Sequence, residues 1–111
     1  MSKMFYEHLL ILEDLWEEIG ALSISAKEKN QLIETTEELF HYKVMTLILD
    51  HLPKVHHGDF LQRFTNIPHD TSHLQYLEEK VGVSIHHEIA VLAVGLKEEV
   101  RSVLKKHKKH T

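Results

Sequence analysis

The sequence predicts an all-α protein, a small bundle of four to five helices, from three observations. Apolar residues recur at three- and four-residue spacing through most of the chain, which is the spacing of one helical face. No stretch shows the sustained alternation of apolar and polar residues that is typical of a half-buried strand, and no hairpin dipeptide such as Asn-Gly occurs. Both prolines stand between periodic stretches, where they mark helix boundaries.

The second helix, predicted over residues 25–52, has the clearest ends. Ser25 and Glu28 have the spacing of a capping box, in which the two side chains satisfy backbone N–H groups at the start of a helix. Pro53 disfavours helical geometry in the residue before it, so the helix should end near Leu52. From Val44 onward the apolar residues spread around the circumference, which indicates a helix with neighbours on several sides.

The other four helices show the same signals and are predicted near residues 3–19, 59–64, 70–81 and 85–106. Gly20 is expected to end the first helix in the left-handed conformation, and Gly82 to end the fourth. Asp59, Asp70 and Ser84 are expected to cap the third, fourth and fifth helices, because their side-chain oxygens can accept hydrogen bonds from the first free N–H groups.

Length and composition indicate one domain, residues 1–104, followed by a basic frayed tail over residues 105–111. The 111 residues include no cysteine, which excludes disulfides, thiolate zinc sites and cysteine nucleophiles. The first twenty residues do not have the pattern of a signal peptide, and no apolar run approaches the roughly 20 residues that span a bilayer. We therefore expect a cytoplasmic protein.

The charge is distributed unevenly along the chain. The formal net charge is −4, but residues 1–20 alone carry a balance of −4 and residues 97–111 a balance of +4. These two segments should attract one another if packing brings them close.

Two segments are apolar on most sides, residues 44–49 and 89–96, and we expect them to pack together. Two interpretations of these segments stay open. In the first, the segments form the centre of a monomeric bundle. In the second, part of their surface is a dimer interface, because exposed apolar patches usually mark interaction sites.

Eleven histidines are the one compositional oddity and raise the question of a metal site. Ligands on a helix must lie three or four residues apart to share a face, as His69 and His73 do. Glu38 and His41 match one Glu-x-x-His unit of a di-iron bundle, whose second unit is missing here. These four residues are the candidate metal ligands. The histidines also suggest a pH sensor, since full protonation would change the formal charge from −4 to +7, around pH 6–7 for unperturbed groups.

The succession of helices and their hydrophobic spacing resemble an uncharacterised group of short helical proteins encoded by candidate-phylum bacteria. The resemblance covers about Leu9 to Val103 and implies a small helical domain with no assigned activity and no functional residue to carry across. The positions that carry it are Leu15 to Gly20, Lys27 and Leu32, Leu39 and Val44, Leu47 to Leu52, Phe60 with Phe64, Leu74 with Leu77, and Ile89 to Leu96.

No catalytic motif is present: the chain contains neither a Gly-x-Ser-x-Gly elbow nor a glycine-rich phosphate loop. We therefore predict a non-enzymatic protein-protein interaction module, without a cofactor or an inferred small-molecule substrate, that uses an apolar or acidic helical face to bind itself or another protein. Two alternatives remain. One is a metal-binding protein with histidine and carboxylate ligands. The other is a nucleic-acid accessory protein that uses the basic tail, although that tail lacks aromatic residues for base stacking.

Overall fold

The computed structural model describes residues 4–108, with the side chains of residues 4–106. This part of the chain contains five α-helices and no β-strand, which confirms the all-α prediction. It forms an elongated bundle with dimensions of 50 × 24 × 19 Å. The α-helices are α1 Glu13–Gly20, α2 Ala26–His51, α3 His57–Asn66, α4 Ser72–Val81 and α5 Ile85–Lys108, and short 3-10 helices at Glu7–Leu9 and Lys54–His56 precede α1 and α3.

Helix α2 begins and ends at the predicted residues, although only the Ser25 half of the capping box forms. The Ser25 hydroxyl accepts a hydrogen bond from the backbone N–H of Glu28 at 3.1 Å and donates to the Glu28 carboxylate at 3.0 Å. At the other end Leu52 has an extended backbone, with ψ of 126°, directly before Pro53. The local signals were sufficient here because they concern hydrogen bonds and steric clashes within one turn of the helix.

The first helix was predicted over residues 3–19, and this range is wrong: α1 begins at Glu13, and Lys3 lies outside the described residues. The 3-10 helix Glu7–Leu9 is followed by a reversal at Ile11, whose φ is +51°. Leu10 and Leu15 are both buried. Five residues apart on a straight helix, they would point about 140° away from one another. The break allows both side chains to reach the core.

Three predicted end signals also need correction. Gly20 is the last residue of α1, and the chain leaves the helix through Ala21 with φ of −83° rather than through a left-handed glycine. Asp59 lies inside α3, which begins at His57. Asp70 precedes the residue Thr71 that flanks α4, although its carboxylate still accepts the N–H of Ser72 at 2.9 Å.

The remaining two signals are confirmed. Gly82 adopts φ of +80° after α4, a left-handed conformation that costs glycine no steric clash. The Ser84 hydroxyl accepts the N–H of His87 at 3.4 Å at the start of α5.

The core joins the middle of α2 to the middle of α5, which pack against one another. Val44 and Ile48 of α2 and Ile89 of α5 are fully buried in a single hydrophobic cluster. The α5 segment is nevertheless not surrounded, because Val91 and Val94 are 54% and 61% exposed. No helix within residues 4–108 combines the length and the apolar character that a membrane crossing requires.

The acidic first segment and the basic last segment do come together, through α1 and α5. Arg101 donates to Glu18 at 2.9 Å and also pairs with Asp14, while the Lys97 ammonium lies 3.7 Å from the Asp14 carboxylate. Desolvation alone would raise the pKa of Asp14, but the charges of Lys97 and Arg101 outweigh it and lower that pKa below its ordinary value. These ion pairs fix the end of α5 beside α1.

An aromatic cluster holds the N-terminal segment against α3 and α4. The ring of Phe5 meets the rings of Phe60, Phe64 and His73 edge-on, with centroids 5.2–6.2 Å apart. Edge-to-face contacts of this kind are favourable because the positive ring edge meets a negative ring face. The N–H of Phe5 also donates to the carbonyl of Pro68 at 2.9 Å. Residues 4–12 are thereby positioned beside α2 without forming a long helix.

Candidate binding groove

A groove of about 360 Å³ lies between the N-terminal segment and the first half of α2. Its apolar floor consists of Met4, Leu10, Leu12 and Phe40. Its acidic rim consists of Glu7, Glu34, Glu37 and Glu38, and the polar pair Tyr6 and His41 completes the lining. The groove therefore combines apolar surface with four carboxylates, at a volume within the range of roughly 300–1,000 Å³ that is common for ligand sites.

The spacing of α2 residues gathers one side of the groove. Glu34, Glu37, Glu38 and His41 lie at positions i, i+3, i+4 and i+7, so they occupy adjacent turns of one helical face. The opposite side depends on the break at Ile11, which turns Leu10 and Leu12 toward α2 instead of continuing a helix. The sequence therefore determines half of the groove locally, and the other half only through tertiary packing.

The acidic rim is electrostatically unbalanced. Within residues 4–106 none of its four carboxylates forms an ion pair with a lysine or arginine. Partial burial, together with the neighbouring charges of Glu7 and Glu34, raises the pKa of Glu37 above its ordinary value. Like charges held near one another favour either protonation or a positively charged ligand, since both relieve the repulsion.

Tyr6 and His41 form a hydrogen bond at the bottom of the groove, with 2.5 Å between the phenol oxygen and Nδ1. Burial, reinforced by the charge of Glu7, raises the pKa of Tyr6, so the phenol keeps its proton. The His41 ring also stacks on Phe64, with centroids 5.8 Å apart. The pair therefore links the groove to the aromatic cluster.

The four candidate metal ligands fall in two separate places. Glu38 and His41 both line the groove, whereas His69 and His73 lie at the turn before α4 and in its first turn. His73 is 2% exposed, and its Nε2 donates to the carbonyl of Ile67 at 2.7 Å. Across the described residues no three or more His, Asp or Glu side chains form a group that could hold a metal ion.

Other histidines also have hydrogen-bond partners within the fold. His51 Nδ1 donates to the carbonyl of Leu47 at 2.9 Å, and His57 Nε2 donates to the carbonyl of Leu52 at 2.7 Å. The Leu52 carbonyl follows the last residue of α2, so the His57 bond satisfies a group that the helix leaves free at its C-terminus, whereas the Leu47 carbonyl lies within the helix. His86 forms its bond with the carboxylate of Glu78. Helix-end chemistry accounts for part of the histidine content.

A second hollow of about 480 Å³ lies between α3 and α4 and is mostly polar. Its charges compensate one another, because Arg63 forms an ion pair with Asp59 at 3.2 Å. The Arg63 guanidinium also lies 4.6 Å from the ring centre of Tyr76, and the Tyr76 hydroxyl donates to Asp59 at 2.9 Å. The groove at α2 has no comparable internal partners in the described part of the chain, which makes it the stronger candidate.

Sequence reasoning identified Glu38 and His41 but missed Glu7, Glu34 and Glu37. For Glu34 and Glu37 a signal was present, because three glutamates within five residues on one helical face carry no lysine or arginine four residues later at positions 38, 41 or 42. Glu7 offered no such signal, since its place follows from the break at Ile11.

The chain matches no family model, and no curated protein or solved structure matches it either. The resemblance to short helical proteins of candidate-phylum bacteria thus stays a prediction.

Proposed function

We propose that this protein is a non-enzymatic interaction module that binds, in the groove at α2, a protein segment carrying apolar and basic side chains. The observation that supports this function is an apolar floor bordered by an acidic rim that has no lysine or arginine partner within residues 4–106. We place the protein in the cytoplasm on the grounds of its composition.

The two parts of the groove select different atoms of such a segment. The floor, which includes Leu10 and Leu12, removes apolar side chains from water, at about 25 cal/mol per Å² of buried surface. The rim favours lysine or arginine, whose aliphatic stems can lie along the floor while their charged ends reach the carboxylates. A bound cation would also relieve the repulsion that raises the pKa of Glu37.

Binding fits the groove better than catalysis. Among the described residues of the lining only Tyr6 carries a hydroxyl, and its raised pKa keeps it protonated while it is hydrogen-bonded to His41. A nucleophilic oxygen must lose its proton easily, and the burial that raises the pKa of Tyr6 has the opposite effect.

The test compares two fluorescent peptides that share one amphipathic apolar pattern and differ only in carrying lysine or glutamate on the polar face. Fluorescence anisotropy is measured at about 0.05 M and about 0.5 M salt, which changes the screening length roughly threefold. We expect the lysine peptide alone to bind, with affinity that falls as salt rises. Equal binding of both peptides would contradict the proposal.

The double variant Glu34→Gln and Glu37→Gln removes two rim charges. Exposed charge pairs are worth roughly 0.2–1 kcal/mol each, so binding should weaken by about 2- to 30-fold. Asp50→Asn is the matched control, because Asp50 is an exposed acid on the same helix beyond the groove. Equal losses in both variants would point to nonspecific attraction. Binding that requires deletion of residues 1–3 would identify the start of this chain as the occupant and overturn the proposal.

A further inference from the structure

The end of α5 carries the side chains that the groove would select. Val103 is 62% exposed, and Lys105 and Lys106 are exposed too. Val103 and Lys106 lie three residues apart and share one helical face, so an apolar side chain stands beside a cation. We infer that the groove of one copy binds the residue 103–106 segment of a second copy, an inference that rests on the proposed function.

The charges left over after folding support this pairing. Within one copy, Lys97 and Arg101 are paired with Asp14 and Glu18. Neither acid belongs to the rim, and within residues 4–106 neither Lys105 nor Lys106 forms an ion pair. Among residues 4–106, folding therefore pairs one set of acidic and basic side chains and leaves a second, complementary set without ion pairs.

The net charge of −4 does not reveal this second set, which consists of the rim carboxylates and the lysines at the end of α5. The charges of the separate parts of the chain do reveal it. The last fifteen residues carry +4, and two of their six basic residues are engaged with α1. The rim adds four negative charges that are not counter-balanced in the described structure. Within residues 4–106 the rim and the helix end form no ion pair with one another, so their charges are available to a second molecule.

Each copy has one groove and one α5 end, so two copies can exchange both contacts and close a two-fold dimer. The groove accommodates only a few side chains. Interfaces of this small size are usually transient. We expect a dissociation constant on the order of 10–100 μM and strong weakening by salt, because the contacts are between exposed charges.

The experiment is sedimentation velocity of the full chain over about 1–500 μM, a range that spans the expected constant. The variants are Glu34→Lys in the rim and Lys106→Glu in α5. Each alone should weaken self-association by at least about tenfold, because a like-charge contact replaces an attractive one.

A mixture of the two variants gives the decisive measurement. In a mixed dimer the reversed rim of one copy meets the reversed helix end of the other, and the second contact is native. Each variant by itself should associate at least about tenfold more weakly than the unmodified protein, whereas their mixture should associate like the unmodified protein. Asp50→Lys and Lys54→Glu are controls with the same charge changes at exposed positions elsewhere, and they should leave association unchanged. Thermal melts verify that every variant is folded.

Three outcomes would overturn the inference. The protein stays monomeric at every concentration, the charge reversals leave a dimer intact, or the mixture fails to associate although both variants are folded. The first outcome does not affect the proposed function if the lysine peptide still binds the groove. Loss of peptide binding to the unmodified monomer would instead remove the proposed function.

Discussion

The reversal at Ile11 leads to a prediction whose sign depends on the fold. An L-amino acid in the left-handed conformation costs roughly 1–2 kcal/mol relative to glycine. Glycine itself costs roughly 0.5–1 kcal/mol relative to alanine through its greater freedom in the unfolded chain. At φ of +51° the Ile11→Gly variant should therefore be more stable than Ile11→Ala by roughly 0.5–1 kcal/mol. In a continuous helix it would be less stable by about 1 kcal/mol.

The comparison uses alanine because both variants lose the isoleucine side chain equally. That side chain is 63% exposed, so its buried part contributes roughly 0.5–1 kcal/mol, which cancels between the two variants. The hydrogen bond from Lys97 to the Ile11 carbonyl, 2.9 Å long, involves only backbone at position 11 and should persist in both.

The assay is reversible thermal or urea unfolding followed by circular dichroism. For a domain of this size the glycine variant should melt about 2–4 °C above the alanine variant. Thr35, an exposed residue within α2, supplies the control: Thr35→Gly should melt below Thr35→Ala by a similar margin, because glycine is disfavoured in helix interiors. An alanine variant at position 11 that melts above the glycine variant would refute the left-handed turn and, with it, the geometry of the groove.

Five further substitutions test other parts of the structure in the same unfolding assay. Gly82→Ala should destabilise by roughly 1 kcal/mol because φ is +80°, whereas Gly95→Ala, in open space within α5, should stabilise by about as much. Phe60→Ala should destabilise by roughly 3–5 kcal/mol, since the ring is fully buried. The raised pKa of Glu37 means that its ionised form opposes folding, so Glu37→Gln should raise the melting temperature at pH 7, and this gain should vanish below pH 4.5. The lowered pKa of Asp14 has the opposite sign, so the stability lost in Asp14→Asn at neutral pH should vanish as the unmodified protein is acidified well below pH 3.8.

The helices that the sequence predicted correctly end at signals within one turn. Ser25 and Pro53 bound α2 through a side-chain hydrogen bond and a steric clash, and Gly82 ends α4 through its backbone freedom. Such signals do not depend on the rest of the fold, so they can be read from a single sequence.

The start of the first helix could not be predicted in the same way. The apolar spacing before Glu13 is compatible with a helix, although the structure has none there beyond a short 3-10 turn. What prevents the helix is the need to bury Leu10 and Leu15 together with Phe5. The gain from burying large apolar side chains, about 1.5–3 kcal/mol each, exceeds the roughly 1–2 kcal/mol of the left-handed Ile11. This comparison can be made only when the neighbours in α2, α3 and α5 are known.

The same dependence on packing explains why the candidate site was found only in part. Glu38 and His41 attracted notice as ligands for a metal, since a one-helix pattern reveals which residues share a face and not what stands opposite. The segment opposite contains Leu10 and Leu12, and it supplies apolar surface together with one further carboxylate, Glu7. The nature of the site, an acidic rim around an apolar floor, is therefore a property of two segments that are distant in sequence.

The acidic residues of this protein fall into two groups. One group stabilises the fold through ion pairs, and the other forms the rim of the groove to which we assign the proposed function. Asp14 and Glu18 are matched by Lys97 and Arg101, and this match fixes α5 beside α1. Had two of the rim acids taken those cations instead, the rim would keep two negative charges rather than four, and α5 would lose its ion pairs with α1. Lys97 and Arg101 are paired with α1, whereas Lys105 and Lys106 are exposed and form no ion pair within residues 4–106. The ion pairs that stabilise one copy thus leave the rim and the end of α5 available for the association that we propose.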